Sequence, residues 1–394
     1  MDSPDQLVDD YVSNLSKSTM DLSKPLWDFH VLNVETSEAT SYGVFRFHHS
    51  LGDGVSLIST LLACTRKTSD PNALPSLPIA KKKLGRGNYL GFLRYFYALL
   101  LIFKLWWNTF VDVVMMMATM ICLKDTKTPL KGAPGIEKSP KWFVRRMLNF
   151  HDIKLVKNAM GTTVNDVVLG VTQAGLTRYL NEKYGKDKGE NRAFKNNLPK
   201  HVRLRALVAV NLRPTIMIED ILEMMEANSK CGKDWGNLFG SVYFPFHIAL
   251  RDDPLDYIRD AKATMDRKKH SFQPWLSYFN TKLLLSMGGV KAAATSFYKA
   301  LSNTTLGFSC LAGPIDEMSW SGHPVAFFAP SVYGVPQALV IHFQSYMDKM
   351  IVALAVDRNV IPDPYKLCDE IEKSLVLAKN CVIDRKLVKF EDVD

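Results

Sequence analysis

The stretch YGVFRFHHSLGDGVSLISTLLAC, from Tyr42 to Cys64, decides the fold. Its first half alternates Phe45 and Phe47 with Val44 and Arg46, the period of a strand. A turn at Gly52-Asp53-Gly54 follows, and from Val55 to Cys64 the apolar residues Val55, Leu57, Ile58, Leu61 and Leu62 recur at helical spacing. That pattern predicts a core-facing helix ending near Arg66-Lys67. Upstream, LWDFHVLNV from Leu26 reads as the preceding strand. The string H-H-x-x-x-D-G, His48 to Gly54, therefore sits where a strand gives way to a helix, and it has roughly a one in a thousand chance of arising somewhere in such a composition.

An imidazole held at such a point can take a proton from a hydroxyl or thiol while that group attacks a carbonyl. On period-two geometry His48 and His49 point to opposite sides, so at most one faces a given cavity. Asp53 and Gly54 suit a supporting role in the turn. A plainer role stands beside this one, with Asp53 as the N-cap of the helix and His48 as a hydrogen-bonded core side chain. The pair, the spacing and the strand-to-helix position together favour catalysis.

Further along, SDPNALPSLPIAKKKLGRG reads as an exposed linker, and Tyr95 to Leu123 is the most apolar segment, about 43 Å long if helical. Lys104, Asn108 and Asp112 place one polar stripe on it, Trp106, Trp107 and Met115 to Met117 supply apolar bulk, and lysines flank both ends, Lys81 to Lys83 upstream and Lys124, Lys127 and Lys131 downstream. Such a helix can lie in the headgroup region, span with its stripe against protein, or be a core helix. Beyond Pro140 the pattern is mixed. An amphipathic helix is expected from about Thr163 to Tyr184, stopped by Gly185, and another from Pro364 to about Ala378. Strands are expected at VRLRALVAVNL, LFGSVYFPF, TLGFSCLA, PVAFFA, QALVIHFQSY and KMIVALAVD. The class is α/β in three parts: 1–80 with the histidine pair, a basic linker and apolar helix over 81–140, and a second domain over 141–394.

With 394 residues, 47% of them hydrophobic and 23% charged, the chain is long enough for two domains and is neither disordered nor fibrous. The net charge of +9 admits an anionic partner, but the basic residues are dispersed or flank the apolar helix and form no nucleic-acid module. Cys64, Cys122, Cys231, Cys310, Cys368 and Cys381 are scattered without a C-x-x-C pair, which suggests reduced thiols, no zinc module and no metal. The acidic N-terminus, MDSPDQLVDDYVSNL, has no apolar core of a secretory signal.

Pro25-Leu26-Trp27, His48 to Gly54, Thr163-Val164-Asn165-Asp166-Val167, Val210 to Pro214, Gly236-Asn237 with Pro245-Phe246, and Gly313-Pro314 occur in this order. The sequence thereby resembles the plant wax ester synthase/diacylglycerol acyltransferases of the O-acyltransferase WSD type, from about Tyr11 to Leu377. The resemblance implies a fold like chloramphenicol acetyltransferase, with two α/β domains face to face and a tunnel between them. It implies acyl-CoA as co-substrate, a fatty alcohol or diacylglycerol as acceptor, and wax ester or triacylglycerol as product. His49 would be the base, with no acyl-enzyme and no cofactor. Asn165 resembles a tunnel residue of the family's Asn-Asp pair, and Pro25, Leu26 and Trp27 fall near the substrate entrance.

Each of these residues also has a plainer role. Thr163 to Asp166 spells a capping box, so Asp166 is expected to be structural, and Pro25 to Trp27 can simply pack before a strand. Arg213 is either solvated or pairs with Asp53 across the domain interface and supports the His49 turn. Gly236 and Gly313 read as turn glycines needed for positive φ. Two departures from the family pattern bear on activity. Typical members carry on the order of a hundred further N-terminal residues, so the chain is expected to be truncated with an incomplete first domain. Cys310 also replaces the family's usual Asn, removing an amide from the stretch before Gly313. A catalytically impaired, truncated, membrane-associated member is therefore the alternative function. A soluble acyltransferase for small alcohols is disfavoured by the lack of a D-F-G-W-G motif and by the apolar segment.

If His49 and Asn165 line one tunnel, a single crossing by residues 95–123 would put them on opposite sides of a membrane. An interfacial, re-entrant or hairpin segment is expected instead. The resemblance implies the cytosolic face of the endoplasmic reticulum membrane, with the plasma membrane as a second location.

Overall fold

Apolar runs rich in β-branched residues make the centre of the molecule, because strands covered on both faces have no polar side to show. The computed structural model describes residues 3–78, 91–187, 195–213 and 235–388. The first part contains α1 (Pro4–Leu15), β1 (Trp27–Leu32), β2 (Tyr42–Phe47), α2 (Gly54–Ala63), β3 (Arg66–Lys67) and the long α3 (Gly91–Ile121). It is followed by β4 (Trp142–Asn149), α4 (Phe150–Ala159), α5 (Val164–Asp187), β5 (Leu204–Asn211), β6 (Phe239–Phe246), α6 (Asp256–Lys269) and α7 (Gln273–Ser302). The chain closes with β7 (Leu306–Leu311), β8 (Met318–Trp320), β9 (His323–Pro324), β10 (Leu339–Tyr346), β11 (Lys349–Val356) and α8 (Pro364–Asp384).

Among the described residues six strands form the main sheet in the order β4-β11-β10-β7-β5-β6, with β7 parallel to both neighbours and the other pairs antiparallel. Pro245 is tolerated in β6, which is an edge strand among the described residues. One sheet face, with Ile341, Phe343, Phe308 and Leu354, packs under α4, α5, α6 and α8 to make the main core. Helices α6 and α8 approach α5 closely at two glycines. A Cβ at Gly170 would lie 2.7 Å from the Ile258 Cα, and one at Gly175 would lie 3.0 Å from the Ile371 Cα.

The opposite sheet face is covered at two places. At one, Ile351, Met147 and Tyr346 meet α2 through Leu62, Ala63 and Ile58. At the other, Leu207 and Tyr243 meet Met116 and Met120 of α3 and Ala300 and Leu301 of α7. The β1–β2 hairpin is tied to the main sheet by Arg145 of β4, which holds Asp9 at 2.6 Å and Glu38 at 2.8 Å. Strand β3 pairs with β8, so the N-terminal segment and the C-terminal half share a small sheet.

Several expectations change. Helix α5 is buried on almost every side rather than amphipathic, and it runs through Gly185. Three of its buried polar residues bond inside the protein: Thr172 donates to the Val168 carbonyl, Thr177 to that of Gln173, and Gln173 Oε1 accepts from the His247 N–H. PVAFFA is strand only at Pro324, and its Phe327 and Phe328 pack instead beside α2. The linker's first part is docked, not free: Leu74 and Leu77 join that same cluster, and the Ser76 N–H donates to Asp316 at 2.8 Å. Lys81 to Lys83, most of the loop before Lys200, and Cys231 lie outside the described residues.

Of the three readings of α3, the polar stripe settles one point. Asp112 is fully buried, with Lys268 at 2.6 Å and Arg267 at 2.9 Å, and Asn108 donates to the Arg267 carbonyl at 3.3 Å. The stripe at Asn108 and Asp112 therefore faces protein, while Lys104 is exposed. Burial pushes the Lys268 ammonium down to about 8 against the opposing pull of Asp112. With its polar side docked, α3 turns Phe103, Trp106, Phe110 and Val114 outward.

Candidate active site

Strand β2 ends at Phe47, and the chain then turns through His48 to Asp53 before α2 begins. The His48 N–H donates to the Leu26 carbonyl at 2.9 Å and the Leu51 N–H to that of His48 at 3.0 Å. His49 lies past the last strand residue, so side-chain alternation no longer governs where it points. Both imidazoles are exposed. His48 Nδ1 is engaged with Ser50 Oγ at 2.7 Å, whereas the His49 ring lies 6.1 Å from the Phe239 ring, over the start of β6. Asn237 Nδ2 donates to the His49 carbonyl at 2.9 Å, fixing the backbone from the far domain and leaving the imidazole out of that bond.

Asp53 is the N-cap, its Oδ1 accepting the Ser56 N–H at 3.1 Å. It also does more. Its Oδ2 accepts from Arg213 Nη1 at 2.7 Å and from the Leu238 N–H at 2.9 Å. Arg213 Nη2 donates to Ser56 Oγ at 2.9 Å and to the Gly236 carbonyl at 2.6 Å, and that carbonyl accepts the Asp53 N–H at 3.2 Å. The Arg213 side chain has no exposed surface and that of Asp53 only 7%, so the pair is a buried ion pair with its remaining hydrogen-bonding positions occupied. The expected Asp53–Arg213 contact is present. It joins the start of α2 to the end of β5 and the start of β6, so the histidine turn is clamped from both parts of the chain.

Pro25, Leu26 and Trp27 come to the same place. Leu26 bonds His48, and Trp27 is paired with Phe47 across the hairpin with its side chain 52% exposed. Asn165 and Asp166 stand in the first turn of α5, which packs on α6 and α8, and no hydrogen bond or ion pair among the described residues joins them to the His49 turn. Asp166 forms the capping box reciprocally with Thr163, at 3.1 and 3.2 Å, and also accepts from Thr162 at 2.8 Å. Gly236 has the positive φ expected of it, +99°. Gly313 does not, and it is glycine for a different reason, since a Cβ there would lie 2.0 Å from the Ser345 carbonyl oxygen. Cys310 packs against the main core, where burial pushes its thiol up to about 12. The change from Asn thus falls on the helical side of the sheet.

Sequence reading missed Ser56, Asn237 and the Gly236 and Leu238 backbone as parts of this clamp. Ser56 had a signal, standing three residues after an N-cap Asp, while the backbone partners had none. The sheet face between the two apolar contacts has small residues and is partly open, with Ala209 exposed and Ser241 and Ser309 half-buried. Gly54 abuts this face, where a Cβ would lie 3.2 Å from Leu311 Cδ1. The cleft therefore runs from the histidine turn over the centre of the sheet. Among the described residues, no group of three His, Cys, Asp or Glu could hold a metal ion.

The wax ester synthase/diacylglycerol acyltransferase catalytic domain matches residues 4–168, and the WS/DGAT C-terminal domain matches residues 235–379. Wax ester synthase/diacylglycerol acyltransferase 11 of Arabidopsis thaliana is 48% identical over 395 residues, spanning 99% of this chain and 80% of that protein. Member 7 of the same plant is 47% identical over 392 residues, spanning 97% and 81%. The solved wax ester synthase/diacylglycerol acyltransferase from Marinobacter aquaeolei VT8 superposes with a TM-score of 0.55 at 17% identity, over 95% of this chain and 76% of that one. The first condensation domain of the CDA synthetase gives 0.50 at 10% identity, over 97% and 73%. These two likenesses bear on the fold, which is the two-domain acyltransferase fold that the resemblance implied. With two family domains matched and nearly half of its residues identical to curated members, the chain belongs to the wax ester synthase/diacylglycerol acyltransferase family of O-acyltransferases.

Proposed function

We propose that the chain transfers an acyl group from acyl-CoA to the hydroxyl of a long-chain alcohol or a diacylglycerol, with His49 as general base. His49 takes the hydroxyl proton as the oxygen attacks the thioester carbonyl. The tetrahedral intermediate then collapses, the carbon–sulfur bond breaks, and the departing CoA thiolate takes the proton back from the imidazolium. Asp53, Gly54 and Arg213 hold the turn without touching substrate, and His48 is held by Ser50. One observation carries the reading: an exposed imidazole stands on a turn that a buried ion pair fixes to both parts of the chain, at the mouth of a cleft lined by small residues.

The same reading seats the protein on a membrane surface. Helix α3 offers Phe103, Trp106, Phe110 and Val114, and α7 adds Phe279, Leu283, Met287 and Val290, all exposed. Tyr95–Ile121 is long and apolar enough to cross a bilayer, but its docked stripe and its packing on α7 favour a helix lying in the interface. Water-insoluble acceptors would then reach the cleft without crossing water. The cytosolic face of the endoplasmic reticulum is the location proposed.

The test is acyl transfer on membranes of a host lacking its own neutral-lipid synthases, expressing the chain or His49→Ala, with labelled acyl-CoA and each acceptor in turn. Product from the parent and not from the variant is expected. Silence from both, with folded protein bound to the membranes, would favour the impaired family member instead.

A further inference from the structure

Strand β10 alternates between the two sheet faces. Ile341 and Phe343 enter the main core, so His342 and Gln344 turn to the cleft side. On that side His342 stands, half-buried, in register between Ser309 of β7 and Ala353 of β11, both small residues. His342 Nδ1 is buried without a hydrogen-bond partner, and so is Gln344 Oε1 two residues along. Gln344 is in register with Leu311, the residue against Gly54 of the histidine turn. Along the strand, His342 is thus about 7 Å beyond the point where the turn meets the sheet.

A buried polar atom without a partner calls for an explanation, and on the floor of a cleft a bound molecule is one that can supply the bond. A simple alkyl chain crossing this floor would leave both atoms unpaired, whereas an ester carbonyl would accept a hydrogen bond from an imidazole N–H. Burial also holds the imidazole neutral down to about pH 4, so it offers a dipolar N–H and not a charge.

We infer that His342 is a specificity residue for the acyl acceptor: it donates a hydrogen bond to an ester carbonyl near the reacting hydroxyl, and so favours an acylglycerol over a simple long-chain alcohol. The inference rests on the acyl-transfer reading above.

The test offers diacylglycerol and a long-chain alcohol, separately and in competition, to the full chain and to His342→Leu and His342→Asn, with labelled acyl-CoA. His342→Leu should lower the ratio of kcat/KM for diacylglycerol over alcohol about tenfold, the size expected when a site loses its bond to one substrate only. The alcohol arm should stay within about twofold of the parent. His342→Asn, which keeps an N–H donor, should restore part of the ratio. If His342→Leu does not accumulate folded, His342→Phe carries the same comparison with a ring of similar shape. An unchanged ratio, an equal fall in both arms, or a parent that ignores diacylglycerol would overturn the assignment and leave acyl transfer standing. A parent that acylates neither acceptor would overturn both.

Discussion

Replacing Arg213 by alanine removes the positive half of a buried pair and leaves the Asp53 carboxylate where it is. The side chain has no exposed surface, and its donors reach Asp53 at 2.7 Å, Ser56 at 2.9 Å and the Gly236 carbonyl at 2.6 Å. Stranding one member of a buried pair costs about 3–5 kcal/mol. Asp53 keeps the N–H groups of Ser56 and Leu238, which places the cost near the lower end, about 3 kcal/mol. Urea unfolding followed by tryptophan fluorescence should show that loss as a lower midpoint. Asp53→Asn added to Arg213→Ala should cost much less than Asp53→Asn alone, because the charge it removes is already unpaired. Arg213→Lys should recover only part, since an ammonium cannot fork between a carboxylate, a hydroxyl and a carbonyl. A shift below about 1 kcal/mol for Arg213→Ala, or strictly additive effects of the two substitutions, would refute the clamp.

Three further outcomes follow from particular contacts. Gly313→Ala should destabilise the fold by about 1–3 kcal/mol, because its Cβ would sit 2.0 Å from the Ser345 oxygen, and an unchanged urea midpoint would contradict that packing. His342, held neutral down to about pH 4 by burial, takes no proton in the native state between pH 6.5 and 4 while the unfolded chain does. Stability should therefore fall with acid across that window, by at most about 1.4 kcal/mol per pH unit, and His342→Leu should flatten the slope. Trp106→Glu with Phe110→Glu, both on exposed positions of α3, should cut co-sedimentation with phosphatidylcholine vesicles about tenfold without moving the melting temperature; undiminished binding would remove α3 from the membrane surface.

The strand–turn–helix was legible because local sequence determines it: alternation, a Gly-Asp-Gly turn and an N-cap stand within two dozen residues. The Asp53–Arg213 pair was legible only as one of two options, since 160 residues separate its partners and nothing local indicates their meeting. Strand β4 escaped notice because Arg145 and Arg146 interrupt its apolar run; Arg145 is satisfied by Asp9 and Glu38 from other elements. Polar residues misled for α5 and left α3 open between readings. Thr172, Gln173, Thr177 and Asn181 look like a solvent face of α5, and Asn108 and Asp112 look like the wet side of α3, yet all are buried with partners. Periodicity reports which residues are polar and not whether water or protein satisfies them. The cleft floor was hidden for a related reason, because β7, β10 and β11 must be laid side by side before Ser309, His342 and Ala353 form a row.

The central claim is that His49 does the proton transfer and that Asp53 acts only by holding its turn. The direct measurement is the acyl-transfer rate of the parent, His49→Ala, Asp53→Asn and the double variant, each verified as folded. The account predicts that His49→Ala costs at least about a hundredfold, that Asp53→Asn alone lowers the rate, and that Asp53→Asn costs nothing further once His49 is gone. A loss from Asp53→Asn that is equally large with and without His49 would contradict it, as would a His49→Ala variant as fast as the parent.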